Sequence, residues 1–125
     1  MRVRRLLSLT RVYAALAWLI AAIAVLHMAT TWQLSSATAF TKVWFFAAGV
    51  AMAQTAALNL LHRVHGRSAL SLAWVTRSSN ALMLALAAIA GVVTEASVAE
   101  LVVMLGTLGG LLVLSFTKSA LRPDA

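Results

Sequence analysis

The 125-residue sequence contains no cysteine and a single proline. Without thiols, the chain forms no disulfide, has no cysteine nucleophile and offers no thiolate ligand to a metal. Charged residues are also scarce, at 10%, whereas a soluble domain carries about 25%. Because 62% of the residues are hydrophobic, the composition predicts a protein that folds within a lipid bilayer.

Four apolar stretches follow one another along the chain, separated by short segments that carry most of the charge. A membrane-spanning helix needs about 20 apolar residues. We therefore predict helices at about 12–31, 43–62, 69–94 and 98–116. They form an all-α, integral membrane, antiparallel four-helix bundle that makes a single domain over 1–125. The start of the chain also fits a secretory signal, but its apolar stretch is long for one, which favours an uncleaved first helix.

The basic residues are distributed unevenly between the two predicted faces of the membrane. Lys42 lies on one side, and the other nine lie on the opposite side: Arg2, Arg4, Arg5, Arg11, Arg63, Arg67, Arg77, Lys118 and Arg122. This bias predicts that both termini and the middle loop are cytoplasmic. The many Ala and Arg residues indicate a GC-rich bacterial genome, so we expect the chain to lie in a bacterial cytoplasmic (inner) membrane. Topology also accounts for the net charge of +7, so we expect no nucleic-acid partner.

Two glycines in the fourth helix, Gly106 and Gly110, have the spacing of a helix-packing motif. Small residues four apart let two helix backbones approach closely within lipid. They pack either on another helix of the same bundle or on another chain. We therefore expect a homo-oligomer or a partner membrane protein.

Polar residues cluster in the predicted cytoplasmic halves of the second and third helices. Thr55, Asn59 and His62 share one helix face, and Arg77 and Asn80 lie at similar depth in the neighbouring helix. One interpretation is interhelical hydrogen bonding. The other is a ligand-binding pocket open to the cytoplasm and lined by these five residues. Arg77 would then bind an anionic group such as a lipid phosphate, so membrane lipids are expected partners.

Catalytic and metal-binding patterns are missing. His27 lies toward the opposite membrane face from His62 and His65, which disfavours a bis-histidine haem within one chain. No third ligand accompanies His62 and His65. No acidic residue lies in the middle of a helix, and Glu100 is expected to form an interfacial ion pair with Lys42. We therefore predict no enzyme, no catalytic residue, no metal and no cofactor.

The function predicted first is that of an accessory or scaffold subunit of an inner-membrane complex, because the chain carries little chemistry and has a glycine-rich fourth helix. An alternative is a lipid- or amphiphile-binding protein with its pocket around Arg77. A further alternative is an oligomeric transporter or channel in which Gln54, Thr55 and Thr107 face the pore.

Overall fold

The computed structural model describes the backbone of residues 2–122 and the side chains of residues 9–122. The described backbone forms four α-helices and two 3₁₀ turns, with no strand among these residues. The helices are α1 (Arg2–Thr30), α2 (Ala39–His65), α3 (Leu70–Val93) and α4 (Val98–Ser115), and the 3₁₀ turns are Thr31–Gln33 and Lys118–Ala120. The predicted all-α fold is confirmed. The side chains of Arg2, Arg4 and Arg5 lie outside the described residues.

The first two helices are longer than the predicted spans. α1 begins at Arg2 rather than near residue 12, because residues 2–11 contain no proline or glycine and include several good helix formers. α2 begins at Ala39 rather than near residue 43, since the Thr38 hydroxyl caps it by accepting a hydrogen bond from Thr41 N at 3.2 Å. The prediction counted apolar residues, whereas the helices continue into polar flanks.

The turn between α3 and α4 ends in a capping box. Ser97 Oγ accepts from the backbone N of Glu100, and Glu100 Oε2 accepts from the backbone N of Ser97 at 2.8 Å. These bonds satisfy two of the amides that a helix start leaves without partners. The carboxylate of Glu100 therefore stabilises the start of α4, rather than pairing with Lys42 as expected from the sequence.

The four helices form an antiparallel ring in chain order. α1 packs most extensively on α2 and α3 on α4, while α2–α3 and α1–α4 contacts close the ring. We call the end that carries Arg2, the 66–69 loop and Arg122 the terminal end, and the end with loops 34–38 and 94–97 the distal end. At the terminal end, Arg122 N donates to Arg63 O at 2.8 Å, which holds the last described residues against α2.

Apolar side chains cover both the inside and the outside of the bundle. The core is built from a stripe on α1 together with residues of the other helices: Tyr13, Ala17, Ile20, Ala24, Met52, Ala56, Met83, Leu108 and Leu111. Many large apolar side chains also face outward, among them Leu26, Leu82 and Val92, which are each more than 60% exposed. All four helices are long and apolar enough to cross a membrane. Such an exterior suits lipid rather than water.

The glycines contribute unequally to helix packing. A Cβ at Gly49 of α2 would lie 2.6 Å from Met28 Cγ and 3.2 Å from the Ala24 carbonyl oxygen of α1, so this close approach requires glycine. A Cβ at Gly110 would lie 2.9 Å from Leu16 Cδ1, whereas one at Gly106 would meet no described atom within 4 Å. Of the two predicted packing residues, Gly110 contacts α1 and Gly106 faces outward.

Candidate functional site

A buried hydrogen-bond network joins α1, α2 and α3 near the terminal end. Asn59 and Asn80 pair through their side-chain amides: Asn59 Nδ2 donates to Asn80 Oδ1 at 2.6 Å, and Asn80 Nδ2 donates to Asn59 Oδ1 at 2.9 Å. Asn59 Nδ2 also donates to Thr55 O at 2.8 Å. One turn away, the hydroxyls of Thr55 and Ser79 lie 2.9 Å apart. The shared face of Thr55, Asn59 and His62 therefore meets Asn80, as the sequence indicated.

Tyr13 of α1 completes this network, and no pattern in the sequence predicts its position there. Its hydroxyl donates to Asn59 Oδ1 at 2.8 Å and lies 2.9 Å from His62 Nδ1. An amide oxygen only accepts, so the Tyr13 hydroxyl proton is donated to Asn59 Oδ1. The Tyr13 oxygen therefore accepts a hydrogen bond from His62 Nδ1–H. The Asn59 orientation follows from its bond to a backbone carbonyl, which requires a nitrogen donor.

His62 ends the network with one ring nitrogen unsatisfied. In the neutral imidazole with Nδ1 protonated, Nε2 is an acceptor. Nε2 is buried without a hydrogen-bond partner among the described residues. Gly66 covers the imidazole so closely that a Cβ there would overlap the His62 ring. The structure thus directs His62 Nδ1 at the Tyr13 hydroxyl and encloses the ring beneath Gly66.

The network contains five side-chain to side-chain hydrogen bonds between helices, made by Tyr13, Thr55, Asn59, His62, Ser79 and Asn80. In a membrane each such bond contributes about 0.6 kcal/mol, so together they contribute about 3 kcal/mol. Asn59, His62 and Asn80 are each 0% exposed. Their polar atoms are directed at one another, which links the helices and leaves only His62 Nε2 for a ligand.

Arg77 does not join this network. Its guanidinium donates from Nε and Nη2 to the carbonyl oxygen of Ser115, at 3.2 and 3.1 Å. The guanidinium carbon lies 4.5 Å from the Phe116 ring centroid and 5.8 Å from that of Trp74. Ser115 is the last residue of α4, where carbonyls lack helical partners and carry partial negative charge. Arg77 therefore stabilises the end of α4 and joins it to α3.

A cavity of about 630 Å³ opens between the two hairpins in the distal half. Residues from all four helices line it, including Met52, Met83 and Met104 at its apolar wall. Its size lies within the range of small-molecule sites, roughly 300–1,000 Å³. Methionine side chains adapt to differently shaped apolar ligands. None of the five predicted ligand-binding residues lines this cavity.

Two polar groups face this distal cavity from opposite hairpins. His27 of α1 stacks on Phe45 of α2, with ring centroids 3.5 Å apart and an interplanar angle of 20°. Among the residues with described side chains, neither ring nitrogen of His27 has a hydrogen-bond partner. Glu100 caps α4 through Oε2. Its other carboxylate oxygen, Oε1, makes no hydrogen bond to these residues. An apolar cavity with an acceptor-bearing mouth can hold a molecule that has an apolar body and a donating head.

The other sequence-based candidates are dispersed. Gln54 is exposed on the outer surface of α2, while Thr107 is buried and donates to Val103 O at 2.6 Å. Thr55 belongs to the polar network, so these three side chains do not share one surface of the described chain. His27 lies near the distal end and His62 near the terminal end. Among the described residues, no three His, Asp or Glu side chains are grouped to hold a metal.

Searches with family models, curated proteins and solved structures found no match to this chain.

Proposed function

We propose that this chain is a non-enzymatic, multi-pass protein of a bacterial inner membrane that binds a small amphiphile in its distal cavity. The observation that carries the proposal is a 630 Å³ cavity lined from all four helices, with an unpaired imidazole at its edge. The cationic residues flanking the terminal end support an orientation with that end in the cytoplasm. The distal cavity then lies in the outer leaflet.

The ligand we favour has an alkyl body and a cationic, hydrogen-bond-donating head. The walls of the cavity offer alanine, leucine and methionine surface, which suits an alkyl chain. His27 and Glu100 both present acceptors, and Glu100 adds a negative charge. A primary ammonium matches both groups, whereas a carboxylate head would be repelled by Glu100.

Native mass spectrometry from tetraethylene glycol monooctyl ether micelles tests this preference with three ligands of equal chain length. We expect dodecylamine to be retained best, dodecanol less well and dodecanoate least. A charge-assisted hydrogen bond contributes about 1.5–3 kcal/mol, so the amine should bind about tenfold or more tightly than the alcohol. Equal retention of the three ligands would contradict the proposed head-group recognition.

Two variants test recognition of the head group and the location of the binding site separately. Glu100→Gln should remove the preference for the amine while preserving α4, since glutamine also serves in a capping box. Ala87→Trp should fill the cavity, which Ala87 lines, and reduce retention of all three ligands. Ala81→Trp is the matched control because Ala81 lies on the same helix but faces outward. Loss of binding in the control, or none in Ala87→Trp, would refute the location.

The role of an accessory subunit remains a second candidate. Its support is the outward face of α4, where added Cβ atoms at Gly106 and Gly109 would meet nothing within 4 Å. This face lets a helix of another protein approach closely. Gentle extraction followed by mass spectrometry tests it. A partner retained by the native chain and lost in Gly106→Leu supports this role, and recovery of the chain without another protein refutes it.

A further inference from the structure

One face of α2 carries a polar side chain in the middle of an apolar surface. Ala47, Val50, Gln54, Ala57 and Leu61 are all exposed and follow one another at alternating intervals of three and four residues. This repeat is that of a helix seam that packs on a second helix. We call these five residues the α2 seam. Gln54 is its central member and makes no hydrogen bond to any residue with a described side chain.

The depth of Gln54 makes an unpaired side chain costly. It lies 11 residues from the end of α2 at His65 and 15 from its start at Ala39. At 1.5 Å per residue, the nearer end of the helix is about 16 Å away. A glutamine side chain is too short to reach the headgroups from there. Within hydrocarbon, a carboxamide without a partner loses the hydrogen bonds that water would provide.

We infer that a second copy of this chain covers the α2 seam, with the Gln54 side chains of the two copies hydrogen-bonded to each other. A carboxamide is both donor and acceptor, so it is its own complement. Two copies inserted in the same orientation place Gln54 at the same depth on both sides of a two-fold axis. Ala47 and Ala57 are small enough for the two helices to approach closely.

The seam and the distal cavity are separate surfaces. No residue of the α2 seam lines the cavity, and the buried face of α2 with Met52, Thr55 and Asn59 points into the bundle. Dimerisation through the seam therefore leaves the cavity accessible from between the hairpins. Self-association and ligand binding can consequently fail independently in experiment.

The absence of native cysteine makes disulfide cross-linking a direct test. Ala57→Cys keeps Gln54 in place and puts one thiol on the seam. Leu82→Cys is the control, since Leu82 is 71% exposed on α3 and lies outside the seam. Each variant is expressed at a low level and its membranes are treated with an oxidant. We expect Ala57→Cys to form a disulfide-linked dimer of the chain and Leu82→Cys to form little of it. Equal cross-linking at both positions, or capture of a different protein at position 57, overturns the inference.

Energy transfer between labelled copies in liposomes tests the role of the carboxamide. Gln54→Leu keeps a similar volume and removes the hydrogen bonds. Each interhelical hydrogen bond in a membrane contributes about 0.6 kcal/mol. Loss of the two bonds between the Gln54 side chains should therefore weaken dimerisation about tenfold. Gln33→Leu makes the same substitution at the exposed glutamine near the distal end and should leave association unchanged. An unchanged dimer in Gln54→Leu, or an equal loss in Gln33→Leu, overturns the inference.

Discussion

Replacing Asn59 and Asn80 by alanine, singly and together, measures how much the paired side-chain amides stabilise the bundle. The pair exchanges two hydrogen bonds, at 2.6 and 2.9 Å, between side chains that are fully buried. At about 0.6 kcal/mol for each interhelical bond, the coupling in a double-mutant cycle should be about 1.2 kcal/mol.

The two single substitutions should differ in size. Asn59→Ala also removes a bond to Thr55 O and the acceptor of the Tyr13 hydroxyl proton, so the buried hydroxyl keeps only its contact with His62. We expect it to lower the free energy of unfolding by about 2–4 kcal/mol, and Asn80→Ala by about 1–3 kcal/mol. Reversible unfolding in mixed micelles with increasing dodecyl sulfate gives these free energies.

An exposed residue of α3 supplies the control for this cycle. Ser78 faces outward two positions before Asn80, so Ser78→Ala should change the free energy of unfolding by less than about 0.5 kcal/mol. A coupling of zero would refute the stabilising role of the reciprocal amide pair. A larger cost for Asn80→Ala than for Asn59→Ala would contradict the hydrogen-bond assignment, in which Asn59 is the central residue.

Two further predictions use the same unfolding measurement. Gly49→Ala should lower stability by about 1–3 kcal/mol because its Cβ would overlap Met28, whereas Gly106→Ala should raise stability by up to about 1 kcal/mol through helix propensity. Equal effects would contradict the packing described. Arg77→Lys should cost about 1–2 kcal/mol, since an ammonium cannot both bind Ser115 O through two donors and stack on Phe116; wild-type stability in this variant would contradict that role.

The helices and one side of the polar network follow from sequence patterns. Spacings of four and three residues place Thr55, Asn59 and His62 on one face, and the antiparallel hairpin brings that face to Asn80. These relations are local, because they depend on helical periodicity and on a short loop. Tyr13 is different, since its contact with Asn59 spans 46 positions and depends on which face α1 turns toward α2.

The contacts of the Arg77 side chain could not be predicted from the sequence either. The sequence shows a cation without an acidic partner at its depth, which indicates an anionic ligand. The structure supplies instead a carbonyl at the end of α4 and an aromatic ring beside it. Ser115 lies 38 positions from Arg77 in the chain, at the far end of the next helix, and a carbonyl group has no sequence signal of its own.

The two halves of the bundle are held together by different interactions. In the terminal half, polar bonds join α1, α2 and α3, and Arg77 joins α3 to α4. In the distal half, small residues such as Ala48, Ala87 and Ala90 leave space between the hairpins. Within lipid there is little hydrophobic drive between helices, so the walls of this space gain dispersion contacts only from a molecule that enters it. Occupancy of the cavity should therefore stabilise the distal half without altering the polar network.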